Sequence, residues 1–170
     1  MTVLKTGRLV LRRAETGDLS ALHRVFSDPR AMRYWDSPPF QDKAQTARLL
    51  EGMISAGKGE SDDFVVTLGG GVIGKAGCWR KGEVGIILHP DHWGQGLARE
   101  ALGATLPHAF AVWPEMAEIT ADVDPRNEAS LKLLRGLGFR ETGRAARTLL
   151  VGTEWCDSVY LALGREATGG

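Results

Sequence analysis

Gly94 and Gly96 stand just after an apolar run, Val84 to Leu88, and a turn carrying His89 and Pro90, and just before residues able to start a helix. A strand that ends in glycines opening a helix is a device for holding phosphate. The glycines let backbone N–H groups crowd together, and the first helical turn leaves its amides unpaired at the positive end of the dipole. Main-chain amides of Gly94, Gln95, Gly96, Leu97, Ala98 and Arg99 can cradle a pyrophosphate as other anion-binding nests do. The exposed side of Ile86, Ile87 and Leu88 can meet an extended partner by imitating strand pairing. An ordinary strand–turn–helix whose glycines only tighten the turn fits the same residues.

Other residue types in the chain invite chemical readings. Cys78, His89 and His92 include metal-binding types, but their spacing fits no common tetrahedral zinc pattern, so no metal is expected. Tyr34, Trp35 and Trp79 can wall an acceptor pocket, or serve as core or rim. Asp36 and Glu154 can attract a cationic amine, or stand as solvated surface charges.

The elements that would position these residues follow from periodicity and punctuation. Leu9 to Leu11 reads as a strand. Leu19, Leu22, Val25 and Phe26 recur at helical spacing behind Thr16 and Asp18, and Pro29 ends that helix. A second helix is expected from about Gln41 to Ile54, with Ala47, Leu50 and Ile54 on one face. The Gly/Ser/Asp-rich stretch from Ala56 to Asp63 reads as a loop. Phe64–Leu68, Val72–Trp79 and Glu83–Leu88, joined by glycine turns, read as an antiparallel meander. A helix from about Gly96 to Val112 carries Pro107, which removes a hydrogen bond and presses on the carbonyl of Gly103, so a kink or break is expected. Ala117–Val123 is a strand, and Asn127–Leu137 a helix closed by Gly138. Strands at about Arg140–Val151 and Trp155–Leu163 follow, with Gly169 and Gly170 as a loose tail. The class is α+β, in mixed α/β layers.

Bulk properties exclude several functions. The 170 residues suit one domain, taken as residues 1–170. Lys plus Arg and Asp plus Glu balance at 21 each, so no chain-wide basic field recruits nucleic acid or an anionic membrane. Two cysteines, Cys78 and Cys156, are too few for a disulfide scaffold and suit a reducing compartment. No apolar run approaches the ~18 residues of a membrane span, and no leader pattern follows Met1. A soluble cytoplasmic protein is expected.

The segment EVGIILHPDHWGQGLAREA, Glu83 to Ala101, resembles the acyl-CoA loop of the GNAT superfamily of N-acetyltransferases. DPRNEASLKLLRGLGF, Asp124 to Phe139, resembles the late signature of that superfamily, with Asn127 and Ser130 opening a helix that ends in Gly138-Phe139. The two lie in the family's order, about 30 residues apart. LKTGRLVLRRAETGDLSAL, Leu4 to Leu22, is similar to the opening of the branch containing ribosomal-protein N-terminal acetyltransferases, the RimJ/RimL type. The resemblance implies a GNAT-like acyl-CoA N-acyltransferase fold, a central twisted mixed sheet flanked by helices. Strands Glu83–Leu88 and Ala117–Val123 would lie parallel and splay around the acyl-CoA arm. Ile86, Ile87, Leu88, the loop Gly94 to Arg99, and Asn127 match the family's cofactor positions. The family often has Gln or Arg three residues before its first loop glycine. This chain has Asp91, whose carboxylate would be unfavourable beside a phosphate.

The implied chemistry is acetyl transfer from acetyl-CoA to a primary amine by direct attack on the thioester. The main-chain N–H near Leu88 can polarise the carbonyl, and a base, directly or through water, must take the amine's proton. Glu83 matches the acidic residue that opens this strand in the RimJ/RimL-like branch and is the expected base, or else a polar residue at a hairpin end. Many relatives place a Tyr seven residues after the Asn to protonate the thiolate; Leu134 stands there and cannot. Ser130 is the remaining candidate, or caps the helix. Trp35 and Trp79 are the expected acceptor-binding residues. An α-amine (pKa near 7.7–8) is more readily neutral than a lysine amine (near 10.4), which with the RimJ/RimL resemblance points to a protein N-terminus. Small-molecule amines and antibiotics are alternative acceptors. Homodimers occur among such relatives, and no patch in this sequence requires one. Two other classes compete: a non-catalytic acyl-CoA-binding regulatory module, supported by Leu134, and a Rossmann-type nucleotide binder, disfavoured because Gly94-Gln95-Gly96 does not continue as G-x-G-x-x-G.

Overall fold

A computed structural model describes residues 2–57 and 59–168, so the tail glycines Gly169 and Gly170 and part of the Ala56–Asp63 loop lie outside the described residues. The strands are β1 (Val3–Lys5), β2 (Leu9–Arg12), β3 (Asp62–Leu68), β4 (Gly71–Arg80), β5 (Glu83–Leu88), β6 (Glu118–Val123), β7 (Arg140–Val151) and β8 (Glu154–Gly164). The α-helices are α1 (Leu19–Phe26), α2 (Lys43–Ser55), α3 (Leu97–Val112) and α4 (Glu128–Gly136). The strands form one sheet in the order β1-β2-β3-β4-β5-β6-β8-β7. Neighbours are antiparallel except β5 and β6, which run parallel and pair only at Glu83 with Thr120. Beyond that point the two strands part, as the splayed arrangement requires. The sheet is mixed and flanked by helices, as expected for the α+β class.

Both faces of the central strands are covered, so β3 is buried along almost its whole length, and alternate residues enter different cores. Phe64 and Val66 join Leu102, Leu106, Phe110, Ile119 and Leu161 in the core beneath α3. Val65 joins Leu22, Val25, Phe26 and Leu50 in the core beneath α1 and α2. The same alternation sends the neighbouring acids Asp62 and Asp63 to opposite faces. Asp62 accepts from His108 Nδ1 of α3 and from Arg13, each at 2.7 Å, and Asp63 faces the α2 side.

Four sequence expectations are corrected. A strand, β1, precedes Leu9 and pairs with β2. The packed ridge of α2 is Thr46–Leu50 rather than Ala47–Leu50–Ile54, because the Thr46 hydroxyl lies 2.7 Å from His23 Nδ1 on α1 and fixes that face inward; Ile54 is 44% exposed. The helix expected to begin at Gln41 starts at Lys43, where Asp42 caps it with a reciprocal Gln45 contact. Of the kink or break expected at Pro107, the break does not occur: α3 is one element, held by the buried Leu106, Ala109 and Phe110. The cap at Gly138 forms as expected, at φ +100°.

Candidate functional site

Gly94 and Gly96 take φ of +72° and +75°, a left-handed conformation that costs other residues roughly 1–2 kcal/mol. A Cβ at Gly94 would meet nothing within 4 Å, so backbone conformation alone calls for glycine there. Gly96 caps α3, and Glu100 N–H is the first amide to bond back to its carbonyl. The N–H groups of Leu97, Ala98 and Arg99 therefore have no partner in the helix. The Trp93 indole donates to the Leu88 carbonyl at 2.9 Å, folding the loop onto the end of β5.

A second anchor comes from the other end of the chain. Arg8 donates to the Gln95 carbonyl at 2.9 Å and to the Glu100 carboxylate at 2.8 Å, and Thr6 Oγ1 donates to the same carboxylate. These contacts lower the Glu100 carboxyl from its usual range, with the Thr6 hydroxyl contributing most. The turn between β1 and β2 thus braces the glycine loop. Pairing of Arg8 with Glu100 was not read from the sequence; the Arg8-x-x-x spacing gives no local signal for a contact 92 residues away.

Two cavities lie along β5 and β6. The larger, about 890 Å³, is bounded by Ile86, Ile87, Leu88, Gly94, Gly96, Leu97, Ala98, Arg99, Asn127 and Ser130, with Lys132 and Arg30 adding positive charge. Asn127 Oδ1 accepts from Ser130 N–H at 3.2 Å, capping α4, and the Ser130 hydroxyl makes no hydrogen bond among the described residues. Gln95 is the one expected loop residue outside this cavity. Its side chain turns back to the Asp91 carbonyl at 3.3 Å. Asp91 also stays outside, 73% exposed and 3.5 Å from His89 Nδ1, so its carboxylate does not face the cradle.

The smaller cavity, about 510 Å³, opens under α2 and the β7–β8 hairpin. Trp35 and Trp79 are both in its wall, as are six carboxylates: Asp36, Asp63, Asp122, Asp124, Glu154 and Asp157. Against these stand Arg33, Lys75 and Arg126. Lys75 and Asp63 form a buried pair at 2.5 Å. Arg126 bridges Asp124 at 2.7 Å and Glu154 at 2.6 Å, and its hydrogen bonds hold the Asp124 carboxyl below its usual range. The two cavities share Tyr34, Trp35, Val84, Gly85, Asp122 and Asp124. They meet where β5 and β6 separate.

Glu83, the expected base, borders neither cavity. It stands at the still-paired start of β5, two residues (about 7 Å) before Gly85, and its carboxylate accepts from Arg80 Nε at 2.6 Å across the hairpin turn. Among the described residues no group of three or more His, Cys, Asp or Glu is placed to hold a metal ion. Cys78 is buried in the core, and burial with the nearby Asp62, Asp63 and Glu83 charges pushes its thiol up to about 12. No described helix is long and apolar enough to cross a membrane.

A glycine loop at a helix start thus borders one cavity, which meets a second, acid-lined cavity through a gap in one sheet. Residues 8–140 match the family described as Acetyltransferase (GNAT) domain. The chain is 32% identical over 154 residues to the uncharacterised N-acetyltransferase p20 of Bacillus licheniformis, covering 84% of this chain and 85% of p20. It is 24% identical over 159 residues to the spermidine N(1)-acetyltransferase of Escherichia coli K12, covering 90% and 84%. The structure of a GNAT-family acetyltransferase from Bacillus anthracis superposes with a TM-score of 0.83 at 27% identity, over 97% of this chain and 99% of that one. The chain belongs to the GNAT family and is an N-acetyltransferase.

Proposed function

We propose that this protein transfers the acetyl group of acetyl-CoA to the primary amine of a cationic acceptor, with residues 1–170 acting as one domain. The observation that carries this reading is the meeting of the two cavities at Gly85 and Asp122, where β5 and β6 part. Acetyl-CoA supplies an activated acyl carbon and a thiolate leaving group. In the larger cavity the amides after Gly96, with Arg99 and Lys132, suit its phosphates. The open edge of Ile86–Leu88 suits its pantetheine amides, since β6 no longer pairs there. The Ser130 hydroxyl, free of other partners among the described residues, is the group we assign to meet the thiolate as the C–S bond breaks. Tyr34, Trp35 and Trp79 wall the acceptor side, and the excess of carboxylates over cations there favours a positively charged amine.

The N-terminal resemblance to the RimJ/RimL branch favours a protein N-terminal α-amine as acceptor. A second reading, a small polyamine-like acceptor, is favoured by the six carboxylates of the smaller cavity and is consistent with the spermidine acetyltransferase relative. Thiol release from acetyl-CoA, followed with N-terminal peptides, diamines and polyamines, and neutral amines, tests both. Release with peptides selects the first acceptor class, and release with polyamines the second. Tight acetyl-CoA binding without release by any acceptor would turn the assignment to a binding module.

A further inference from the structure

Of the carboxylates around the smaller cavity, most are already committed. Asp63 is paired with Lys75, Asp124 and Glu154 are bridged by Arg126, and Asp157 accepts from the Arg147 backbone N–H at 2.9 Å. Only Asp36 and Asp122 make no side-chain hydrogen bond or ion pair among the described residues. These two differ in position: Asp36 borders the smaller cavity alone, whereas Asp122 borders both.

The register of the sheet explains why. β5 and β6 are paired at Glu83 and Thr120. Two residues further along each strand stand Gly85 and Asp122, at the same level on either side of the opening gap. On its other side β6 stays paired, with Asp122 opposite Tyr160 of β8, so the aspartate's backbone is held while its exposed side chain is free. Gly85 presents no side chain to it. An added Cβ there would lie 3.4 Å from Trp79 and 4.0 Å from Trp35, so the glycine keeps the passage between the cavities open.

We propose that Asp122 is the base of the transfer reaction, taking the proton from the acceptor amine where the two cavities meet. The inference rests on the acetyltransferase reading above. One proton of the incoming ammonium passes to the Asp122 carboxylate and from it to solvent, which this exposed side chain reaches. The freed nitrogen lone pair forms the C–N bond to the acyl carbon. The C–S bond then breaks with its electron pair on sulfur, and the nitrogen's second excess proton passes, through the Ser130 hydroxyl or water, to that thiolate, giving the amide and the free thiol. No oxidant or further reactant is needed. Asp124, two residues on, is less suited because Arg126 holds it in an ion pair and stabilises its charged, unprotonated form.

The test is steady-state transfer with the acceptor identified by the panel above, for the native chain, Asp122→Asn and Asp122→Ala. The loss expected for a general base is about 100-fold in kcat, with the acetyl-CoA dissociation constant within twofold of native. Added formate should restore part of the Asp122→Ala rate in proportion to its concentration, and formamide should not. A rise in acceptor KM with kcat intact would make Asp122 a holding residue and overturn the proposal, as would native rates in both variants or loss without formate rescue. If the native chain itself releases no thiol with any acceptor, the acetyltransferase reading fails, and the role of Asp122 with it.

Discussion

The two cavities that meet at Gly85 are built in opposite ways. The larger presents main chain: left-handed glycines, the open amides of one helix and the free edge of one strand, all within Ile86–Arg99, together with the capped start of α4. The smaller presents side chains, gathered from α2, the segment Arg33–Phe40, β3, β4, β6 and the β7–β8 hairpin. A backbone cradle serves a ligand common to a whole family, because its geometry depends on few residue identities. A side-chain cavity serves the ligand that differs between relatives. The contrast in charge follows the same division, with Arg30, Arg99 and Lys132 beside the larger cavity and an excess of carboxylates in the smaller one.

The division is open to attack at each cavity separately. The largest effect is expected at their junction. Gly85→Val places a branched side chain against Trp79 and narrows the passage, and misplacing reactants by about 1 Å can cost about 100-fold in rate. The expected result is that loss in kcat with acetyl-CoA binding by calorimetry near native; equal damage to both would mean that the cavities are not separable. A smaller effect is expected within the cradle. Gly96→Ala forces a side chain into φ +75°, at roughly 1–2 kcal/mol, or about 5- to 30-fold in acetyl-CoA affinity. The acceptor KM should not move.

The smallest effects concern the cysteines. Cys156 lines the smaller cavity, while Cys78 is in the core with its thiol pushed up to about 12 by burial. Native protein treated with iodoacetamide near pH 8 should label at Cys156 and not at Cys78, as read by mass spectrometry, and bound acceptor should slow that labelling. Because the folded state holds the Cys78 proton more tightly than the unfolded chain, its contribution to stability is whole below pH 9.0 and is lost as pH rises toward 12. Urea midpoints measured across that range should fall.

How much of this was legible in the chain follows from the same contrast. The cradle was readable because its parts are contiguous: an apolar strand, two glycines and a helix start lie within Val84–Arg99, and each residue type has a local physical reason. The parallel, splayed β5–β6 pair and the closing cap at Gly138 came with the family resemblance and the glycine. The acceptor cavity was legible only as scattered residues, Trp35, Trp79, Asp36 and Glu154, with nothing local to bring them together. Asp122 had no local signal at all. In the sequence it is one polar position of an alternating strand, and its place follows from a register between β5 and β6 that no neighbouring residue records. The surroundings of Glu83 were hidden in the same way: its contact with Arg80 across the hairpin turn is revealed only by the three-dimensional turn. The bracing of the loop by Arg8 and Glu100 was hidden for the same reason, a separation of 92 residues.

The most direct measurement is a crystal structure of the protein soaked with coenzyme A and a cationic amine. The expected result is pyrophosphate on the amides following Gly94 and Gly96, the pantetheine arm along Ile86–Leu88 with its sulfur near Gly85, and the amine among the carboxylates of the smaller cavity. Coenzyme A bound away from the β5–β6 gap, or an amine sharing the cradle with it, would contradict the two-cavity assignment.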